Sequence, residues 1–473
     1  MRIFLFFLAT LVSLSASSSA AQSGSEVWSP SLGPGVFSDI PAGRYYHLFR
    51  MDGSNTIGAE LGPALAEAWL TKHGATQIER IPLAQNETRI TGFLDGLGSH
   101  VIIDIAAHGS GTGFKALSKG LTDIAAASRP VKPKEAEQVL TADLTRVDSE
   151  HIVGIDGLAI IVDPSNPVDA LSVDALRRIF SGAVTNWSEV GGPDMPVSIF
   201  ARDDQSGTWD SFRHMVLGKT PLAGSAERFE SNSVLSDRVA SVRGAIGFVG
   251  LPAVRQSKLL SVSAGDVAAL APDRLTVATE DYALSRRLFM YTAGKSDNPY
   301  VRDFLTFVAN EGQQQVAETG FISQDVAAVK PLNTMALPAE IRERVEDAYR
   351  LSVNFRFKEG SASLDNKAQR DVERLLGYLA GYRKEHPDAE VMLFGYASES
   401  DDSTRAQLLS KHRAMAVSRA LKQSSFYPDV VDGFGSEAPL ARIEGNDGRQ
   451  KNSRVEVWIR PADNMTGMLA ETL

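Results

Sequence analysis

The 473-residue sequence predicts an α/β protein in which a large two-lobed domain precedes a smaller α/β domain. Short apolar stretches typical of strands alternate with helical patterns from His47 onward, which favours mainly parallel strand pairing. Turns rich in Gly, Ser and Thr follow three of these strands. The pattern changes after the proline-containing stretch 330–340, and the length leaves room for two or three domains.

The strands predicted in the first domain are runs of apolar or small residues that end at turns. They are Tyr45–Phe49, Val101–Ala107, Leu121–Ala127, Gly157–Val162, Val197–Phe200, Gly244–Gly250 and Tyr282–Thr292. Two helices stand out, one capped by Ser172 and ended by Gly182, the other spanning 300–316. A chain that passes through two such halves and returns predicts two lobes around a cleft. Ligands of open α/β sheets bind at the carboxyl ends of the strands.

A turn at Ala201–Asp210 joins a predicted strand to a predicted helix. Unpaired N–H groups and the positive end of the helix dipole face one small volume at such a junction, and that volume binds anions. Arg202 adds a planar fork for an oxyanion, and Ser206 and Thr208 add hydroxyl donors. Similar turns recur at 51–56 and 108–113. Three turns of this kind predict several helix N-termini converging on one ligand.

The smaller domain is predicted from the alternation of strands and helices after the stretch at 330–340. Its strands are Val353–Phe357, Glu390–Tyr396 and Arg454–Ile459, and its helices are Leu364–Tyr382 and Arg405–Lys422. The resulting division is a signal peptide at 1–21, a leader at 22–45, a binding domain at 46–329, a linker at 330–350, the smaller domain at 351–461 and a tail at 462–473.

Composition restricts the classes of function. The formal net charge of −10 argues against a nucleic-acid partner and against attraction to anionic membranes. The sequence contains no Cys, which removes disulfides, thiolate metal sites and Cys nucleophiles. An early Arg2, an apolar run and small residues up to Ala21 predict a cleaved signal peptide and therefore export. No metal site and no cofactor is predicted.

Taken together, the motifs of the first region resemble the periplasmic phosphate-binding proteins that serve ABC importers. These motifs are Asp52–Thr56, His108–Gly113, Asp123–Pro130, Asn166–Pro167, Ile179–Gly182, Asn186–Trp187, Arg202 with Ser206–Thr208, and Gly244–Gly250. The resemblance implies a two-lobed periplasmic-binding-protein fold of type II and no catalytic activity. It also implies that phosphate is held by Thr56, Ile57, Ser110, Ser128, Arg202, Ser206, Gly207 and Thr208.

One position departs from this family's pattern. An Asp that often follows the small-residue strand accepts the proton-bearing phosphate oxygen and so rejects sulfate, whereas this sequence has Ser128 there. The candidates for a replacement acceptor are Asp52, Asp203 and Asp204. The selectivity between phosphate and sulfate is therefore left open.

The second region, 351–461, resembles the OmpA-like peptidoglycan-associated domain. The motifs that carry the resemblance are Phe357–Leu364, Leu409–Val417, Gly433–Pro439 and Asn452–Glu456. In that family an Asp and an Arg clamp the diamino acid of the peptidoglycan stem. Arg413 matches the Arg, whereas Ser398 stands at the Asp position, with Glu399 or Asp401 as possible substitutes, and Ala406 replaces a common Asn. A diverged domain that docks another envelope protein is the alternative.

The leading hypothesis is a non-enzymatic oxyanion receptor of the periplasm that binds inorganic phosphate and is localised to the wall or the outer membrane by its C-terminal domain. An ABC permease is a candidate partner, although storage or sensing near the wall fits equally well. The alternative is an envelope structural or adhesion protein whose lobed domain is a spacer or a broader anion sensor. A hydrolase using Ser110 is disfavoured because the sequence shows no residue that orients His108 as a base.

Overall fold

The computed structural model describes residues 36–37, 40–204, 206–331, 337–358, 361, 363–398, 402–442 and 446–461. The predicted signal peptide at 1–21 and the predicted tail at 462–473 lie outside these residues. None of the helices in the described ranges combines the length and the apolar character needed to span a bilayer.

The strands follow one another along the whole described chain. They are β1 (Tyr45–Gly53), β2 (Thr76–Ala84), β3 (Glu87–Leu94), β4 (Ser99–Ala106), β5 (Ile124–Ala127), β6 (Glu150–Val162), β7 (Ala170–Ser172), β8 (Ser198–Arg202), β9 (Glu227–Phe229), β10 (Ala245–Gly250), β11 (Lys258–Leu259), β12 (Ser261–Gly265), β13 (Ser285–Tyr291), β14 (Ala328–Val329), β15 (Tyr349–Arg356), β16 (Glu390–Gly395), β17 (Val430–Gly433), β18 (Ala441–Arg442) and β19 (Arg454–Arg460).

The helices connect and cover these strands. They are α1 (Gly62–Lys72), α2 (Ser110–Leu117), α3 (Pro133–Ala136), α4 (Val173–Phe180), α5 (Gly207–Phe212), α6 (Asn232–Ser241), α7 (Arg274–Ala278), α8 (Pro299–Ala309), α9 (Gln313–Glu318), α10 (Ala339–Val345), α11 (Asn366–Glu385), α12 (Ser403–Gln423) and α13 (Asn446–Asn452). Two π-helical turns, at Ile57–Leu61 and Arg213–Leu217, adjoin α1 and α5, and two 3₁₀ turns lie at Trp187–Val190 and Leu251–Ala253.

The largest sheet has the strand order β2-β3-β4-β1-β5-β13-β6-β10-β8-β9, and β11 also pairs with β6. Strand β1 runs parallel to β4 and β5, whereas β13 runs antiparallel to both β5 and β6. The predicted α/β class is confirmed, but the prediction of mainly parallel pairing is wrong. The sheet is mixed because β2, β3 and β4 pair antiparallel in succession, β10 pairs antiparallel with β6, and β13 inserts antiparallel between β5 and β6.

Strand β13 contributes to two hydrophobic cores. Leu288 and Met290 belong to the core that α1 and α8 cover, whereas Phe289 and Tyr291 belong to the core built from β6, β8, β10, α4 and α5. Successive side chains of a strand point to opposite faces, which explains the alternation. The two cores therefore share this strand and fix each other's position.

The helix predicted at 300–316 is two helices, α8 and α9, with a break at Asn310–Gly312. The Gly312 N–H donates to the Phe307 carbonyl at 2.8 Å. A Cβ atom at Gly312 would lie 2.9 Å from the Val308 Cα. The backbone passes so close to the preceding turn that only a residue without a Cβ atom fits at the break. The helical periodicity of the apolar residues does not reveal this break.

The C-terminal domain has a sheet of order β14-β15-β19-β16-β17, with α11 and α12 packed against it. The predicted strands and helices of this domain are all present. The first strand of this sheet, β14, precedes the predicted linker at 330–350 in the chain, and helix α10 lies within that linker. Leu375 and Leu379 of α11 and Val417 and Leu421 of α12 bury their side chains in the core of this domain.

The two domains are joined by strand pairing. Strand β18 of the C-terminal domain runs parallel to β12 of the first domain, with Ala441 opposite Ala264. The Asn452 side-chain oxygen accepts from the backbone N–H groups of Leu440 and Ala441, which holds the strand in place. The sheet of β7 and β12 thus gains a strand from the other domain.

A buried cluster of charges, here called the docking cluster, consists of Glu280, Asp281, Arg287, Arg350 and Arg356. Arg350 contacts Asp281 at 2.6 Å, and Arg356 contacts Glu280 at 3.2 Å, so both carboxylates of the first domain face guanidinium groups of the second. Arg287 binds Glu280 at 2.5 Å and reaches Asp365 of the C-terminal domain at 2.8 Å. The side chain of Asp281 is 1% exposed.

The docking cluster makes the stability of the protein sensitive to acid. Burial alone would raise the pKa of Glu280, but Arg287 and Arg356 outweigh it and hold that pKa below the usual range. For Asp281 too, burial raises the pKa and the charge of Arg350 lowers it, and the net effect is a lowered pKa. A carboxylate whose pKa is lowered by folding stabilises the folded state at every pH above its pKa in the unfolded chain, which is about 4. This stabilisation is lost as the pH falls below that value.

We therefore expect the free energy of unfolding to stay level between about pH 7 and 5 and to fall below about pH 4. Denaturant unfolding across this range measures it. The double variant Glu280→Gln/Asp281→Asn is expected to be less stable at neutral pH and to lose less on acidification. An equally steep acid loss in this variant would show that other groups cause it.

Candidate functional site

Three helices begin directly after strands, as the turns predicted. The π-helical turn at Ile57–Leu61 follows β1, α2 follows β4, and α5 follows β8. The first two turns lie together because the Gly109 N–H donates to the Gly53 carbonyl at 2.7 Å. A Cβ atom at Gly113 would lie 2.5 Å from the Asp52 carbonyl oxygen, so α2 packs directly on the end of β1. The helix N-termini at 57 and 110 are thus neighbours.

Ser110 and Ser128 meet at this place. The Ser128 N–H donates to the Ser110 hydroxyl oxygen at 3.2 Å. Ser128 follows β5 and is 4% exposed, while Ser110 is half-buried. Both were predicted as ligand-binding residues, and the structure brings them together on one wall of a cavity.

The third turn contacts the first. The Thr56 hydroxyl donates to the Gly207 carbonyl at 3.3 Å. Ile57 is the buried first residue of the π-helical turn, and Gly207 and the half-buried Thr208 open α5. The hydroxyl of Ser206 caps α5 by accepting from the Trp209 N–H at 3.4 Å. Residues separated by 151 positions are therefore adjacent at two helix N-termini.

Arg286 had no role in the sequence-based prediction, yet this residue joins the two turns. Its Nη2 donates to the Thr56 hydroxyl at 2.9 Å and to the Gly207 carbonyl at 3.3 Å. Its Nε donates to Asp156 at 3.1 Å, and the Ser211 hydroxyl donates to the same carboxylate oxygen at 2.9 Å. Arg286 is thus held in place by Asp156 of β6 and directed at both turns.

Arg286 and Asp156 form an ion pair whose side chains are only 10% and 9% exposed. Burial lowers the pKa of the Arg286 guanidinium, and the attraction of Asp156 opposes this change. Arginine stays charged in proteins at neutral pH. Because the Arg286 charge is little exposed to water, it acts strongly on an anion beside it.

A cavity of about 500 Å³ opens beside Ser110, Ser128 and Arg286. Its further lining carries cations from three parts of the chain: Lys115, Arg129, Lys132 and Arg213. Asp210 is the acidic residue among the described lining. The negative net charge of the whole protein therefore coexists with a locally basic cavity, which composition could not indicate.

The guanidinium of Arg202 does not line this cavity. Its Nε donates to the Phe229 carbonyl at 3.2 Å and its Nη2 to the Glu230 carbonyl at 2.5 Å. Burial lowers the pKa of Arg202. The Arg202 N–H groups that were expected to bind an oxyanion thus donate to backbone carbonyls at the end of β9. The predicted role of Arg202 in ligand binding stays a prediction.

Two of the predicted replacement acceptors are engaged elsewhere. Asp52 accepts from the Arg50 Nε at 2.8 Å, and Asp204 accepts from Arg228 at 2.8 Å. Asp203 lies 3.9 Å from the Arg202 guanidinium. None of the three belongs to the described lining of the cavity.

His108 has a partner that its sequence neighbourhood does not show. Its Nε2 lies 3.0 Å from a Glu87 oxygen on the adjacent strand β3. Glu87 therefore fixes one nitrogen of the His108 ring. Within the described part of the chain, however, no hydrogen bond joins His108 to the Ser110 hydroxyl, which accepts from Ser128 instead. The geometry of a base-activated serine is absent there.

Arg413 lies on α12 in the C-terminal domain, 8% exposed. Its Nη1 donates to the Tyr396 carbonyl at 3.4 Å, and its guanidinium lies 5.4 Å from the centre of the Phe357 ring. Among the described residues its buried Nε has no hydrogen-bond partner, and burial lowers the pKa of Arg413. Ser398 is half-buried beyond β16, whereas Glu399 and Asp401 lie outside the described residues. Ala406 is buried.

The contact between Gly207 and Thr56 leads to a prediction. A Cβ atom at Gly207 would lie 2.5 Å from the Thr56 Cα and 2.6 Å from its hydroxyl oxygen, so Gly207→Ala must push the two turns apart. We expect at least about tenfold weaker anion binding, a loss of ~1.4 kcal/mol in calorimetry. In the control Gly224→Ala the added Cβ atom would have no neighbour within 4 Å, and Gly224 lies outside the described lining of the cavity, so affinity should not change. Equal affinities in both variants would contradict this.

Comparison with known proteins assigns the two regions. Residues 95–311 match the PBP superfamily domain, and residues 356–453 match the OmpA family. Protein SphX of Synechococcus elongatus is 31% identical over 237 residues, covering 47% of this chain and 69% of SphX. The phosphate-binding protein PstS of Staphylococcus haemolyticus is 30% identical over 224 residues, covering 46% of this chain and 70% of that protein.

PstS of Bacillus subtilis is 29% identical over 272 residues, covering 57% of this chain and 85% of that protein. These relatives share the first domain, in which the converging helix N-termini and the basic cavity lie. The chain belongs to the family of the phosphate-binding protein PstS and of Protein SphX, with a first region that matches the PBP superfamily domain and a C-terminal region that matches the OmpA family.

Proposed function

We propose that this protein is a non-enzymatic receptor for inorganic phosphate in the periplasm. The observation that carries the proposal is Arg286, whose guanidinium joins Thr56 and Gly207 at two helix N-termini and lines the basic cavity. Fixed N–H dipoles and a guanidinium fork suit an oxyanion with several acceptor oxygens. Similarity to PstS, which is named a phosphate-binding protein, supports phosphate as that oxyanion.

Calorimetric titration of the mature chain, stripped of bound anion, with phosphate and then sulfate at fixed pH and salt tests this proposal. We expect saturable binding of phosphate. Comparable binding of sulfate would make the protein a broader oxyanion receptor, in keeping with Ser128 at the place of an acidic acceptor. The absence of heat from either anion would contradict the proposal and favour an envelope structural protein.

We further propose that the C-terminal domain binds the peptide stem of peptidoglycan through Arg413. The buried Nε of Arg413 has no partner within the part of the chain that the structure describes, and a stem carboxylate would satisfy it. Cosedimentation with purified sacculi should be lost in Arg413→Ala and kept in Arg419→Ala, which removes an exposed charge from the same helix. Unchanged cosedimentation of Arg413→Ala would exclude this role.

An ABC permease is the proposed recipient of the bound phosphate, as the family resemblance implies. The strand pairing and the docking cluster tie the binding domain to the wall-directed domain, which favours capture close to the wall before delivery. Reconstitution with the candidate permease in proteoliposomes measures delivery. Phosphate uptake that does not depend on this protein would exclude a role in transport.

A further inference from the structure

A second large cavity, here called the interdomain groove, lies between the two domains and has a volume of about 1010 Å³. Strand β6 and helix α8 of the binding domain form one side, and helix α11 of the C-terminal domain forms the other. Its described lining shares no residue with that of the basic cavity beside Arg286. Small-molecule sites occur preferentially at domain interfaces and in cavities of about this size.

Arg370 of α11 is the central cation of the groove. Its Nη2 donates to the Val147 carbonyl and, at 3.2 Å, to the Nδ1 of His151. Within the described residues, its Nε and Nη1 donate to no protein acceptor, and no carboxylate lies within 4 Å of it. Burial lowers the pKa of Arg370 to about 10, so the group remains charged at neutral pH. A largely buried charge without a carboxylate partner is costly unless an anion accompanies it.

His151 does not supply that compensation. Burial and the neighbouring Arg370 lower the pKa of His151 to about 3, so the imidazole is neutral at pH 7. In this form Nδ1 accepts from Arg370, while Nε2 lies 3.4 Å from the Thr292 hydroxyl. His151 thus orients the guanidinium without neutralising it, and the other two nitrogens of Arg370 are left for a ligand.

The rest of the groove is apolar inside and mixed at its rim. Ile152, Leu305 and Val308 are buried residues of its lining. The exposed rim carries Lys295 and Arg302 as cations and Asp148 and Glu373 as anions. The neighbouring Arg374 is already paired with Asp371 at 2.8 Å, whereas no carboxylate among the described residues lies within 4 Å of Arg370.

We propose that the interdomain groove binds a carboxylate carried on an alkyl chain, with the carboxylate on Arg370 and the chain along Leu305 and Val308. The carboxylate accepts from Nε and Nη1, the bidentate arrangement that a guanidinium favours. The alkyl chain leaves water for the apolar floor, which contributes about 0.8 kcal/mol per buried methylene. A ligand held in this way contacts both domains and favours their docked arrangement.

Calorimetric titration of the full mature chain with octanoate, acetate and 1-octanol tests the proposal. We expect saturable binding of octanoate and at least about tenfold weaker binding of acetate, which lacks the chain, and of 1-octanol, which lacks the charge. Arg370→Gln is expected to weaken octanoate binding at least about tenfold. The control Lys384→Gln removes an exposed charge from the same helix and should leave it unchanged.

Absence of saturable octanoate binding to the folded wild-type protein would overturn the proposal, and so would equal binding by Arg370→Gln. Acetate binding as tight as octanoate binding would overturn the assigned ligand class. The phosphate site is monitored separately: octanoate binding is expected to persist at saturating phosphate and in Arg286→Gln. A failure of phosphate binding therefore leaves this test intact.

Discussion

Replacing Arg286 by glutamine is expected to weaken phosphate binding about 100-fold, a loss of ~3 kcal/mol in binding free energy. Arg286 contacts both Thr56 and Gly207, so its removal takes away a charge and the link between two helix N-termini. Removing one partner of a buried charged pair typically costs ~2–5 kcal/mol in recognition. Calorimetric titration with phosphate measures the change.

A folding control and two further variants make this result interpretable. Arg286→Gln leaves Asp156 without its cation, so circular dichroism and thermal unfolding must first show that the variant is folded. Arg286→Lys keeps the charge but lacks the fork, and an intermediate affinity is expected. Arg202→Ala tests the residue that the sequence singled out. Full loss in Arg202→Ala combined with unchanged binding in Arg286→Gln would reject Arg286 as the anion-binding cation.

Replacing Asp281 by alanine is expected to lower the free energy of unfolding by ~3–5 kcal/mol, because it leaves the buried Arg350 without its closest carboxylate. The same carboxylate accepts from the Asn354 side chain at 2.8 Å, so a second buried donor loses its partner. Urea unfolding followed by circular dichroism measures the change.

Asp388→Ala is the matched control because Asp388 is exposed on the C-terminal domain, and it should change stability by less than ~0.5 kcal/mol. Since Asp281 and Arg350 belong to different domains, we also expect Asp281→Ala to expose sites between the domains to limited proteolysis. A variant as stable and as protease-resistant as the wild type would show that the docking cluster does not hold the domains together.

Strand β13 connects these two predictions. Arg286 and Arg287 are adjacent on it and point to opposite sides, as successive strand residues do. Arg286 reaches the candidate anion site, whereas Arg287 binds Glu280 and Asp365 at the domain interface. One strand therefore supports both the candidate ligand site and the attachment of the C-terminal domain.

Local sequence determined most secondary structure around the site. Strand β1, strand β4 and strand β8 each end where a Gly, Ser or Thr turn begins, and a helix follows each turn. The cap at Ser172 forms as predicted, because an N-cap hydroxyl acts on N–H groups only two or three residues away. The strands and helices of the C-terminal domain were likewise readable from local periodicity.

Tertiary structure decided which side chains meet. The strand prediction at 282–292 included Arg286, but its role depends on Thr56 and Gly207, which are 230 and 79 residues away. Arg202 had the right neighbours in sequence, yet carbonyls of the β9 region hold its donors. The Glu87 partner of His108 and the docking cluster also join distant segments. Periodicity and caps act over one or two turns of chain, whereas the direction and partner of a long charged side chain are set by strand order and domain packing.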